Sequence, residues 1–358
     1  MHDHLIEAIN WLKRAHDSTD DHGVGYGYYL RGNPFQSNRL GWRASYVETS
    51  GYIVETFYNI AQVYSDSDAA ERAEKIAHWL ISVQNQDGSF SNLSLRKNEG
   101  IVFDTGQVLF GLLRAYQETQ NKAFAIAARK AAYWLVTCQS EDGAWRQHTH
   151  QNIVHTYNTR VAWALTEYCK LFPDVTIKTA AGRNLDWALR QQTDEGLFHH
   201  SAFKTGVAPY THTIAYIIRG LFEAGRCLGD TTFQSSAYQA AKRVAQFIDI
   251  KTGFLPGAIG HKGMSDTRYA CLTGNCQMAI IWYKMAKLYQ DDTLLKAANK
   301  ALEYVLSVHD IHTANDNLRG GVKGSHPIWG RYTPLAYPNW ATKFLIDAIM
   351  ERPPLRVT

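Results

Sequence analysis

The chain has 358 residues, 45% of them hydrophobic and 20% charged, with a formal net charge of +4. That is apolar enough for a large core, and too mildly basic to argue for nucleic acid or a membrane surface as partner. No apolar run approaches the roughly 18 residues that a bilayer span needs.

The opening Met1-His2-Asp3-His4-Leu5-Ile6-Glu7 lacks the basic segment, apolar run and small-residue cleavage site of a secretory signal. Cys138, Cys169, Cys227, Cys271 and Cys276 lie scattered without paired spacing, which fits a reducing, cytoplasmic setting. No Pro/Gly/Ser-rich linker or charge block divides the sequence, so a single domain over residues 1–358 is expected.

In chain order, a repeat sets the organisation. Asn10-Trp11-Leu12 precedes the glycine-rich Gly23-Val24-Gly25-Tyr26-Gly27. His78-Trp79-Leu80 leads to Gln84-Asn85-Gln86-Asp87-Gly88-Ser89-Phe90, and Tyr133-Trp134-Leu135 leads to Gln139-Ser140-Glu141-Asp142-Gly143-Ala144-Trp145. A further copy runs from Asp186-Trp187-Ala188 to Gln192-Thr193-Asp194-Glu195-Gly196-Leu197-Phe198, with degenerate ones at Gln246-Phe247-Ile248 and Glu303-Tyr304-Val305. The clear anchors are spaced by about 55 residues, the length of two helices and two loops.

Within each unit a first, amphipathic helix ends at Asp-Gly or Glu-Gly, where glycine supplies the left-handed turn. After an aromatic and basic loop, a second and more apolar helix begins, as at Glu48-Thr49-Ser50-Gly51, Asp104-Thr105-Gly106-Gln107, Tyr157-Asn158-Thr159-Arg160, Thr211-His212-Thr213, Thr273-Gly274-Asn275 and Pro338-Asn339-Trp340. Six amphipathic helices outside six apolar ones describe an all-α (α/α)6 toroid, with small residues such as Gly51, Gly106 and Gly274 letting inner backbones approach.

The Gln-x-x-x-Gly-x-Trp/Phe pattern at Gln84, Gln139 and Gln192 resembles the QW repeat of squalene and hopene cyclases and related prenyltransferase toroids. The resemblance implies that the motif ties helix ends together and carries no chemistry. The Asp-x-Asp-Asp acid of those cyclases is absent from the inner-helix starts. The whole-chain pattern, including His155-Thr156-Tyr157-Asn158-Thr159-Arg160 and Tyr337-Pro338-Asn339-Trp340, is similar to uncharacterised toroids encoded with bacterial polysaccharide-biosynthesis enzymes. Similar toroids carry polysaccharide lyases, unsaturated glucuronyl hydrolases and sugar epimerases, which by analogy directs attention to carbohydrate chemistry.

A ring of hairpins opens the loops that enter the inner helices onto one face. That face is expected to hold Asn38, Arg39, Arg96, Lys97, His261 and Lys262, and a substrate-binding set of Trp42, Arg43, Trp145, Arg160, Lys204, Arg268, Asn275, Trp329, Arg331, Asn339 and Trp340. Aromatic faces pack on pyranose C–H faces, and arginine forks hold carboxylates, so the expected ligand is an anionic, uronate-containing carbohydrate. Two chemistries are open. Hydrolysis needs a carboxyl pair, for which Glu48 and Asp104 are the candidates, Asp104 also reading as a plain helix cap. β-Elimination needs a cation for the uronate and a base, for which Arg160 with Tyr157, or His212 with Tyr210, are the candidates. A terpene-cyclase or prenyltransferase-like enzyme and a non-catalytic glycan-binding protein are the alternatives. No cofactor is expected; a zinc site of Cys276, His212 and Asp104, of the kind held by prenyltransferase and lanthionine-cyclase toroids, is weighed, but Cys276 sits in an apolar run and reads as core.

Overall fold

The computed structural model describes residues 1–31, 40–92, 99–260 and 265–354. Its helices divide by how much of their surface is apolar. Outer helices are α1 (His2–Asp17), α3 (Ser67–Ser82), α5 (Lys122–Thr137), α7 (Val175–Leu189), α9 (Thr231–Ala245) and α11 (Asp292–Ser307). Inner helices are α2 (Val47–Tyr64), α4 (Val102–Thr119), α6 (Thr159–Leu171), α8 (Thr211–Leu228), α10 (Leu272–Tyr289) and α12 (Asn339–Glu351). Inner α4 buries 12 of its 18 residues, whereas outer α3 buries six of 16 along one stripe, so only the former can be surrounded by protein.

Each inner helix packs on the next, α2 on α4, then α6, α8, α10 and α12, and α12 returns to α2, which closes the ring. The chain is thus an (α/α)6 toroid, as its repeat predicts. Close approach is what the small residues at the inner starts permit: a Cβ on Gly51 would lie 2.6 Å from the Val108 Cα, and one on Gly274 would lie 2.8 Å from the Thr211 Cβ.

Closure joins the two ends of the chain. The inner–outer pair that completes the ring is α12 with α1. Strand β1 (Gly27–Tyr29) lies between β2 (Gly41–Trp42) and β7 (Ala336–Pro338), antiparallel to both, with Tyr28 opposite Trp42 and Tyr337. The Asn339 side-chain amide donates to the Gly25 carbonyl at 2.8 Å. Two further antiparallel pairs, β3 (Ala258–Ile259) with β4 (Ser265–Asp266) and β5 (Ala270–Cys271) with β6 (Ser325–His326), shape the loops on the same face.

The glutamine repeat performs the same task three times. Gln84 Nε2 donates to the carbonyls of Gly88 and Ala127, Gln139 Nε2 to those of Gly143 and Ala180, and Gln192 Nε2 to those of Gly196 and Ser236. One amide therefore holds its own turn and the next outer helix together. Gly143 has φ of +94° and lies against the Arg183 backbone, a position closed to any residue with a Cβ.

On the opposite face the inner-to-outer turns are short. Ser65, Gln120, Gly229 and Gln290 end their helices in the left-handed conformation, and Asp66, Asn121, Asp230 and Asp291 cap the next helix through side-chain oxygens. With turns that tight on one side, the long loops and their polar residues collect on the other.

Candidate active site

The inner-helix starts surround a cavity of about 680 Å³. Its wall includes Tyr26, Tyr29, Trp42, Arg43, Tyr46, Glu48, Phe103, Asp104, His150, Tyr157, Phe203, His212, Tyr216, Tyr332 and Trp340. Such a concave, largely aromatic space with a few convergent polar groups is what a small-ligand site requires.

Glu48 and Asp104 enter it from the first turns of adjacent helices α2 and α4. Asp104 is not the cap of α4; that position is Ile101, and the side chain of Asp104 points into the ring with Oδ2 unpartnered. Burial, and then the neighbouring Glu48 carboxylate, push the Asp104 carboxyl well above its ordinary range. Glu48 is half-buried, open only toward the cavity, and accepts a hydrogen bond from the Tyr46 hydroxyl at 2.7 Å. Burial raises its pKa to about 7, against the opposing effects of the Tyr46 hydroxyl and of the Arg160 charge. The two carboxyls thus share one site, in which burial and their mutual repulsion disfavour ionising both.

Aromatic rings hold this pair. Tyr26 stands 4.8 Å from both Tyr46 and Trp340, and Phe103 meets Tyr157 edge-on at 5.2 Å. His212 lies 4.4 Å from Tyr332, whose hydroxyl accepts from the Trp340 indole at 2.7 Å. Burial lowers the His212 pKa to about 3, so the imidazole is neutral at physiological pH. Its Nδ1 faces the Cys271 thiol at 3.9 Å. Burial raises that thiol to about 12, leaving it protonated. Cys276 is fully buried and does not line the cavity. Among the described residues no group of three or more His, Cys, Asp or Glu side chains could hold a metal ion.

Of the predicted residues, Glu48, Asp104, Tyr157, His212, Trp42, Arg43 and Trp340 line one cavity. Tyr210 stands at its edge, 5.2 Å from Tyr332. Arg160 does not face the ligand space. It is 1% exposed beneath the floor, with Tyr52, Phe110, Trp163, Tyr216 and Phe344 all within 5.9 Å of its guanidinium carbon and its Nε donating to Gln107 Oε1. Trp145 is buried with its indole donating to the Leu135 carbonyl, Asn275 is buried within α10, and Asn339 is spent on the Gly25 bond. Lys204 is exposed on a loop, and Arg268, Trp329 and Arg331 lie outside the cavity near its mouth. Asn38, Arg39, Arg96, Lys97, His261 and Lys262 fall outside the described residues.

Sequence reasoning missed Tyr26, Tyr29, Phe203 and Tyr216. Tyr216 was legible in principle, since it follows His212 by four residues on one helix face. Tyr29 of β1, and Tyr26 just before that strand, reach the cavity through the pairing of β1 with β7, which no local pattern announces.

The fold and site together define an (α/α)6 toroid with a carboxyl pair at the inner-helix starts. Residues 97–333 match the model of the ulvan lyase N-terminal domain family, and the chain belongs to that family. Its backbone is similar to an unsaturated glucuronyl hydrolase from Bacillus sp. GL1 (TM-score 0.75, 14% identity, 98% of this chain and 96% of that one). It is also similar to a cellobiose 2-epimerase from Bacillus thermoamylovorans (0.72, 14%, 98% and 100%) and to a sugar epimerase from a ruminal bacterium (0.73, 13%, 98% and 97%). At these identities the likeness is one of fold. No curated protein sequence matches. No helix among the described residues is long and apolar enough to cross a membrane.

Proposed function

We propose that this chain is an enzyme acting on an acidic, uronate-containing oligo- or polysaccharide, and that Glu48 and Asp104 cleave a glycosidic bond by hydrolysis. The observation that carries this reading is the carboxyl pair, held at the starts of adjacent inner helices in one aromatic cavity, with both members pushed upward by burial. A carboxyl that keeps its proton can give it to a departing sugar oxygen, and we assign that role to Asp104, the more deeply buried of the two. Glu48, open to the cavity, takes the carboxylate role, in which it activates water or stabilises the developing positive charge on the ring. The aromatic wall supplies packing surfaces for pyranose rings, and Arg43, placed 4.9 Å over Tyr29, supplies a cation for the uronate. Trp42, Tyr157, His212 and Trp340 complete the enclosure. Membership of a family described by an ulvan lyase, and a shared fold with glucuronyl hydrolases, support an acidic sugar as substrate. We place the reaction in the cytoplasm, where the five free cysteines stay reduced, and in bacterial polysaccharide metabolism.

β-Elimination is a second reading, favoured by the lyase description of the family and by a neutral His212 in the cavity. Against it, burial holds the Tyr157 phenol well above its ordinary value, which disfavours the phenolate that a base would need.

Uronate oligosaccharides incubated with the purified protein separate the cases. Hydrolysis yields new reducing ends with no new ultraviolet chromophore; elimination yields an unsaturated uronate that absorbs. Under hydrolysis Glu48→Gln and Asp104→Asn each lose at least about 100-fold in turnover while staying folded. Loss confined to Tyr157→Phe or His212→Ala transfers the chemistry to elimination, and binding without turnover overturns the enzyme.

A further inference from the structure

Nine of the ten tryptophans are buried or half-buried; Trp329 leaves 73% of its surface in water. One exposed apolar side chain is ordinary by itself, and what singles out Trp329 is its setting on the loop that leads into the cavity wall. Its loop is firmly seated. Register of β5 on β6 sets Ala270 opposite His326, and Gly330 packs so closely on Tyr269 that an added Cβ would lie 2.7 Å from the Tyr269 Cβ. A few residues further on, Tyr332 and Thr333 are part of the cavity wall.

Two guanidinium groups, one of them two residues along the chain from this ring, converge on a single carboxylate. Arg268 donates to Asp266 at 2.7 Å and Arg331 stands 3.7 Å from the same carboxylate oxygen. Both arginine side chains remain more than 70% exposed, at 72% and 71%. One carboxylate cannot neutralise two cations, and each guanidinium offers five N–H donors, so donors and a net positive charge are left facing solvent. The Tyr210 hydroxyl, donating to the Arg331 carbonyl at 3.4 Å, ties this cluster to the cavity edge. As an exposed ion pair, this arrangement contributes little to stability.

We propose that this rim is an outer subsite for an acidic glycan, in which Trp329 stacks on the sugar that follows the one in the cavity, and Arg268 and Arg331 hold its anionic group. The inference rests on the acidic-carbohydrate reading of the cavity and adds that the substrate is a chain read over at least two residues. Carboxylate and sulfate ester present the same oxygen geometry to a guanidinium fork, so the chemical class is an anionic sugar of either kind.

Calorimetric titration of the intact protein with acidic monosaccharides and with uronate disaccharides tests it, using native, desulfated and carboxyl-reduced forms. Affinity is expected to rise with length. Trp329→Ala, and the double variant Arg268→Ala/Arg331→Ala, should each weaken the disaccharide by about tenfold more than the monosaccharide, the size of one stacked or charge-assisted contact. Loss of the gain on desulfation assigns a sulfate; loss on carboxyl reduction assigns a carboxylate. Affinity independent of length, or variants that weaken both lengths alike, overturns the outer subsite and leaves the cavity reading intact. Failure of every acidic oligosaccharide to bind overturns the cavity reading and the subsite with it.

Discussion

Glu48→Gln should make the protein more stable in alkali while silencing it. The amide side chain would keep an oxygen to accept from the Tyr46 hydroxyl and nearly the same volume, so the change is one of charge. The folded-state pKa is raised from 4.5 to about 7, so the folded protein binds this proton more tightly than the unfolded chain. Stability from this group is therefore full below the unfolded pKa and is lost as pH rises through 7. The complete shift corresponds to about 3 kcal/mol, of which ~2 kcal/mol falls between about pH 5.5 and pH 8.5. Water in the cavity reduces that figure, and relief of the coupled Asp104 carboxyl adds to it. Urea unfolding of both proteins at the two pH values measures it. The difference in unfolding free energy, variant minus parent, should grow with pH by that amount. A difference that is flat with pH, or that favours the parent in alkali, refutes the buried-carboxylate account.

Arg160→Ala should destabilise by about 3 kcal/mol or more, since it empties a cage of five rings, whereas Arg160→Met fills the same space and removes a buried cation, so its cost should be much smaller. Thermal unfolding of the two ranks them, and equal losses would show that the charge matters more than the packing. Gly111→Ala would drive a methyl into the Gly51 carbonyl where α2 and α4 touch, so it should cost more than about 2 kcal/mol, seen as a lowered unfolding midpoint; a neutral result would mean the inner ring is looser than its contacts indicate.

The fold was legible because it is written several times. Amphipathic and apolar helices alternate through the chain, and the three glutamines make the same pair of bonds in three hairpins. Convergence of Glu48, Asp104, Tyr157 and His212 followed from ring geometry alone. Depth within the ring did not follow. Arg160 lies three residues after Tyr157, but Tyr157 sits in the short turn before α6 while Arg160 is in its first turn, directed under the floor. The rings that receive it come from α2, α4, α8 and α12 as well as its own helix, a set that no local periodicity connects.

Trp145 shows that the repeat held more information than its spacing. It occupies the position that Phe90 and Phe198 fill in the neighbouring copies, and all three are buried at 2% exposure or less. A residue that recurs in kind at one repeat position serves what the repeats share, which is the packing of hairpin on hairpin. A residue whose chemistry departs from its counterparts serves something that belongs to one place in the ring. By repeat position Asp104 corresponds to Thr49 and Ala341, because Thr105, Ser50 and Thr342 each accept the same kind of backbone bond, from Phe90, Val24 and Val322. Glu48 likewise corresponds to Phe103 and Trp340. Neither carboxyl is required by the architecture in its own register, and burying either one costs stability. Two such departures in adjacent units, meeting in one cavity, are therefore better explained by chemistry than by folding.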